Sequence, residues 1–141
     1  MSIQSGVNQL LGMSATALRL SPDFEEKAKI KSANKKIRAL DKIGKEETAK
    51  YGYKALNVAT SEEAKDVPYA THSARAERAV KRSGLLADVA DMQPSTKNLI
   101  NARKAKTMAE QQLKSKLEAK LIQKQEFEAL MKKLGGKDEQ K

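Results

Sequence analysis

The sequence predicts an all-α protein of elongated, exposed helices with coiled-coil-like stripes, and three observations carry that reading. Ala, Lys, Glu, Gln and Leu dominate a chain of 141 residues, 33% of them charged, which is the composition of long solvated helices. Apolar residues recur three and four apart through most of its length, the period of a helix rather than a strand. The punctuation is that of helix ends: Ser21-Pro22, Val67-Pro68, Gln93-Pro94 and Gly135-Gly136. Aromatic residues make up only 4%, with no Trp, so each apolar stripe is thin and needs a second surface to cover it.

Residues 1–20 carry a single charge, Arg19. Ile3, Val7, Leu10, Leu11 and Leu18 recur there at helical spacing, and Gly6, Gly12 and Ala15 keep the flanks slim. Two readings stand: an apolar helix that meets a membrane, a capsid protein or sister helices, or a frayed terminus. Ser21-Pro22 then opens a long basic segment, 21–67, with Ser as cap, Pro at the first helical position, and Asp23, Glu25 and Glu26 set against the helix dipole. Ile30, Ala33, Ile37 and Leu40 form one seam at coiled-coil spacing, which predicts a second copy of the chain to cover it. Lys27, Lys31, Lys35, Arg38, Lys42 and Lys45 fall within about a quarter turn on another side, a stripe suited to an anionic partner. Gly44 and Gly52 each weaken a helix by about 1 kcal/mol relative to Ala, so a bend or an end is expected near 44–52. The seam resumes loosely through Thr48, Tyr51, Ala55 and Val58 until Pro68 pushes Val67 out of the helical region.

A third helix is expected over 71–93, opening at Thr71, with a slim apolar face of Ala76, Val80, Leu86 and Val89 and with Gly84 in its middle. His72 has no Cys and no second His to complete a metal site, and reads as a solvent-exposed or capping histidine. The fourth segment, 95–134, has Ser95 or Thr96 as cap and sets Leu99, Ala102, Ala109, Leu113, Leu117 and Leu121 in one stripe between basic faces. Gly135-Gly136 ends helix formation, and 135–141 reads as a disordered tail.

Residues 113–136, LKSKLEAKLIQKQEFEALMKKLGG, resemble the short C-terminal SHOCT-type helical hairpin. Leu113 and Leu117 match its first helix, Leu121 and Ile122 its apolar pair at the turn, Glu126 and Phe127 its acidic–aromatic pair, and Leu130 and Leu134 its final stripe. The resemblance implies oligomerisation or docking through these residues. Two positions depart from it. The family usually has Gly before the apolar pair and Thr or Ser after it, where this chain has Lys120 and Gln123, both good helix formers. The stripe also runs on through Leu113, Leu117, Leu121, Phe127, Met131 and Leu134 if the helix is straight, so hairpin and straight helix both stand. Over the whole chain, an uncharged small-residue start followed by basic helices is similar in style to small minor virion proteins of bacteriophages, including the pilot proteins of small single-stranded DNA phages. That likeness implies a virion protein, with other copies, a capsid or other virion protein, DNA bound without regard to sequence, or a membrane met by the first helix as partners.

The formal charge of 28 − 18 = +10 favours acidic partners: nucleic acid, anionic lipid or an acidic protein surface. There is no Cys and one His, no Gly-rich phosphate loop, and no set for nucleophilic catalysis; the carboxylates sit among Lys at helical spacing, as solvated partners do. No enzymatic activity, cofactor or metal is expected. No groove-reading module is visible, so any nucleic-acid binding is expected to be directed at the backbone. No apolar run reaches the roughly 18 residues of a membrane span, and the start does not read as a secretory signal; outside a virion, a cytoplasmic location is expected.

Overall fold

Five α-helices and one 3₁₀ turn make up most of residues 24–135, which a computed structural model describes; no strand occurs among the described residues. Ile3, Val7, Leu10, Leu11 and Leu18, the Ser21-Pro22 cap and residues 136–141 lie outside them. The all-α expectation holds for the described chain. None of its helices is long and apolar enough to cross a membrane.

Helix α1 (Phe24–Tyr51) is unbroken at Gly44 and ends where Gly52 adopts φ 91°. A left-handed residue costs Gly nothing sterically, so the end falls at the second of the two glycines. The loose seam drawn through Thr48, Tyr51, Ala55 and Val58 does not continue α1. Beyond Gly52 the chain makes a short α2 (Tyr53–Asn57) and a 3₁₀ turn (Glu62–Asp66), where Ala55, Leu56 and Val67 form a small buried cluster with Tyr51 against it. The Ser61 hydroxyl accepts from Ala64 N–H at 3.1 Å and donates to the Lys54 carbonyl at 3.2 Å, which pins the turn to α2.

Val67 is extended before Pro68, and α3 (Tyr69–Met92) follows at once, two residues ahead of the expected start. This helix is the hub. It packs against α1, α4 (Thr96–Glu118) and α5 (Lys124–Leu134), and its small residues let those helices approach closely. Ile30, Ala33 and Ile37 of α1 are buried; Ile30 and Ala33 pack with Val89, with Leu85 and Met92 against the cluster. The sequence-based seam is thus an internal joint: α3 supplies the cover that was assigned to a second copy. On the other side Ala76 and Val80 meet Leu113, Ile122 and Leu130, with Leu117, Phe127, Met131 and Leu134 packed round them. Ser95 caps α4, accepting from Asn98 N–H at 3.0 Å.

The chain turns at 119–123 and does not continue as one helix. Leu121 N–H bonds to the Lys116 carbonyl at 2.8 Å and Lys120 N–H to the Leu117 carbonyl at 3.0 Å, the paired bonds of a Schellman helix end. Lys120 has φ 62°, a left-handed conformation usually taken by Gly. It stands where the hairpin resemblance would have placed Gly. The side-chain cap missing at Gln123 is supplied from α3 instead: the Tyr69 hydroxyl accepts from Gln123 N–H at 3.0 Å and donates to Glu126, which also accepts from Ser73. Lys120→Gly is accordingly expected to stabilise the protein by about 0.5–1 kcal/mol, after allowance for the greater freedom of Gly in the unfolded chain. Urea denaturation checks this; a loss of stability would mean that the Lys120 side chain contributes more than its backbone costs.

Candidate functional site

Two groups of cations bear on function. Lys27, Lys31, Lys35, Arg38, Lys42 and Lys45 project from α1, all are exposed, and among the described residues none takes part in an ion pair. They lie on the flank of α1 beside the Ile30–Ala33–Ile37 joint, the two sets centred about a third of a turn apart, and Lys45 at the end of the stripe lines the groove toward α3. From Lys27 to Lys45 the stripe spans about 27 Å at 1.5 Å per residue.

A second group, Arg75, Arg78 and Arg82, sits one turn apart on α3 and faces α1. Arg75 Nη1 donates to Glu47 Oε1 at 2.8 Å, Arg78 donates to the same oxygen, and Arg82 Nε donates to Asp41 Oδ1 at 2.8 Å. The Glu47, Arg75 and Arg78 side chains are 18%, 13% and 20% exposed, so these charges are held in a partly dry interface. Leu40, half-buried, lines the groove beside them instead of continuing the seam's buried face.

His72 is not at the surface. It is 1% exposed, and its Nε2 lies 2.7 Å from the Ala64 carbonyl, which requires a proton on that nitrogen. Nδ1 is then an acceptor, and the Lys116 ammonium stands 3.4 Å from it and 3.3 Å from the His72 carbonyl. The exposed or capping role expected of this histidine is therefore corrected: it joins the 3₁₀ turn to α3 and α4. Burial lowers its pKa from 6.5 against the opposing pull of the Ala64 carbonyl, and Lys116 and Arg75 lower it further. Lys116, 2% exposed, is held at about 8, first by burial and then by Arg75, with Arg78 adding to the effect and Glu47 and Glu126 opposing it.

The residues assigned to C-terminal docking are largely enclosed within the chain. Leu113, Ile122 and Leu130 are buried, Leu117, Phe127 and Leu134 pack on them, and Leu121 is half-buried. They are covered by one another and by Ala76 and Val80 of α3. The missed groups, Arg75, Arg78, Arg82, Glu47 and Asp41, had a signal in the i, i+3, i+7 spacing of the arginines. Among the described residues no three His, Cys, Asp or Glu side chains gather as a metal site would require. No family model, curated protein or solved structure matches this chain.

Proposed function

We propose that this chain is a non-catalytic helical interaction protein that lies against the phosphate backbone of nucleic acid, in the bacteriophage-particle setting that its sequence resembles. The observation that supports this is the division of the cations. Each arginine that faces another helix is ion-paired, to Glu47 or Asp41, yet the six cations of the α1 stripe are exposed and without an ion pair among the described residues. Six of the nine cations of α1 fall within about a quarter turn, with Lys29, Lys36 and Lys50 outside it. The surrounding fold holds α1 rigid through its buried joint to α3, so the stripe is presented as a fixed line of charge.

Backbone-directed binding of this kind is governed by counterion release and is indifferent to base sequence. Binding to duplexes of unrelated sequence is expected to weaken with salt at a log–log slope of about −0.9 per phosphate neutralised, reaching roughly −5 if all six cations engage. Exchange of the six for Gln is expected to lower affinity at least tenfold at equal salt while circular dichroism stays that of the parent. Fluorescence anisotropy across a salt series reads both. Undiminished binding by the neutral variant would remove the proposal, and binding that persists on anionic vesicles but not on duplex would move the partner to a membrane surface.

A further inference from the structure

Beside the paired arginines, α1, α3 and α4 enclose an open groove of about 610 Å³ whose lining includes Asp41, Lys45, Arg75, Arg78, Arg82 and Gln112. We infer that this groove is a second anion site, sharing only Lys45 with the α1 stripe, which takes a phosphoryl group. The volume lies in the range of small-ligand clefts.

The charge balance of the groove is the first argument. Lys45, Arg75, Arg78 and Arg82 face two carboxylates, Asp41 and the adjoining Glu47, leaving a surplus of 4 − 2 = +2. Fastening α1 to α3 would need as many carboxylates as guanidiniums, but here Glu47 serves both Arg75 and Arg78. A phosphoryl dianion matches the surplus in charge. Its several oxygens also suit guanidinium forks spaced i, i+3, i+7 along one helix face.

Unfilled hydrogen-bonding capacity is the second argument. Arg75, whose side chain lines this groove, has a buried Nε–H with no hydrogen-bond partner. A buried guanidinium N–H without an acceptor costs stability and is satisfied when an anion enters. The positive field reaches beyond the groove as well: Arg75 and Arg78 help to hold the neighbouring Lys116 down, though burial contributes more. A bound anion would offset that field.

Gln112→Glu provides a test that leaves all the native ion pairs in place. It sets a carboxylate of nearly the same shape on the groove wall, where it takes the role of the anion. The Nε–H signals of Arg75, Arg78 and Arg82 in nitrogen-15 NMR are followed during titration with inorganic phosphate, with adenosine diphosphate and with a short oligonucleotide, at constant ionic strength. The parent is expected to show saturable shifts with phosphate, and Gln112→Glu at least a tenfold weaker response with unchanged circular dichroism. Arg82→Gln, which spares both bonds to Glu47, is expected to weaken it likewise. Saturation by inorganic phosphate or the nucleotide places a free phosphoryl ligand in the groove; saturation by the oligonucleotide alone places a strand phosphate there. Shifts that are linear in every titrant, or equal in parent and Gln112→Glu, would overturn the inference. A variant with Lys27, Lys31, Lys35, Arg38 and Lys42 changed to Gln separates the two sites. It is expected to lose oligonucleotide affinity yet keep the phosphate response, and loss of that response would overturn the claim that the groove is a separate site.

Discussion

Replacing Glu47 by Gln is expected to destabilise the protein by about 2–4 kcal/mol, because removing one member of a buried charge group strands the others. Its carboxylate holds Arg75 and Arg78 together, and the three side chains are 18%, 13% and 20% exposed. The neutral amide keeps the shape and one acceptor oxygen but leaves two guanidiniums facing each other, with Lys45 and Arg82 also lining the groove. Water reaches these groups only in part, so screening does not cancel the loss as it does for exposed pairs such as Lys65–Glu62. The cost falls on the α1–α3 joint, since Glu47 belongs to α1 and both arginines to α3. Urea denaturation of parent and variant reads the difference. A loss under about 0.5 kcal/mol, the size of an exposed pair, would show that these charges are solvated in solution. If the groove takes an anion as inferred, added phosphate is expected to restore part of the stability of Glu47→Gln by binding the folded state.

Local signals in the chain were legible, and the identities of contacting partners were not. Helical periodicity located the buried side of α1 at Ile30, Ala33 and Ile37. Periodicity says which side is covered and nothing of what covers it, and the slim face of Ala76, Val80 and Val89 on α3 gave no hint that this helix would be the hub. Small side chains are what allow α1, α4 and α5 to approach α3 closely, so the weakness of that pattern was itself a consequence of central position.

The C-terminal turn shows local preference overridden by packing. Lys120 and Gln123 favour a continuous helix, yet the chain bends, with Lys120 left-handed at φ 62°. That conformation costs about 1–2 kcal/mol. Burying Ile122 and Leu130 in the cluster round Leu113 is worth about 1.5–3 kcal/mol for each side chain. A straight continuation would carry α5 away from α3, so the tertiary gain exceeds the local cost. The bonds that seat α5, from Tyr69 and Ser73 to Gln123 and Glu126, join residues more than fifty apart, and no local pattern contains them. The candidate sites divide in the same way. The α1 stripe is local to one helix and readable from spacing alone, whereas the groove depends on three helices meeting, with Asp41 and Glu47 of α1 and Gln112 of α4 falling opposite α3.

His72 and Lys116 carry the second large effect, and it appears as a dependence of stability on pH. Burial and the nearby arginines lower Lys116 from 10.5 to about 8 in the folded protein. Below pH 8 the ammonium is charged in both folded and unfolded states, and folding bears its full desolvation cost. Between pH 8 and 10.5 the folded protein has released the proton while the unfolded chain still holds it, so stability rises with pH across this window. A shift from 10.5 to about 8 corresponds to about 3 kcal/mol. His72 acts at the acid end. Its folded pKa is lowered from 6.5, so above that value it is neutral in both states and exacts nothing. As pH falls below 6.5 the unfolded chain takes up the proton first, and stability is lost. Protonation of Nδ1 would also set a second positive charge against the Lys116 ammonium, 3.4 Å away. Lys116→Met keeps much of the apolar bulk and removes the charge. It is expected to raise stability at pH 7, by up to about 3 kcal/mol less the lost hydrogen bonds to His72, and to abolish the rise between pH 8 and 10.5. Chemical denaturation of parent and variant at pH 5, 7, 8 and 10.5 isolates the contribution, because every other titrating group is common to both. Parallel curves would mean that Lys116 titrates as an exposed lysine does, with water reaching the junction of the 3₁₀ turn, α3 and α4.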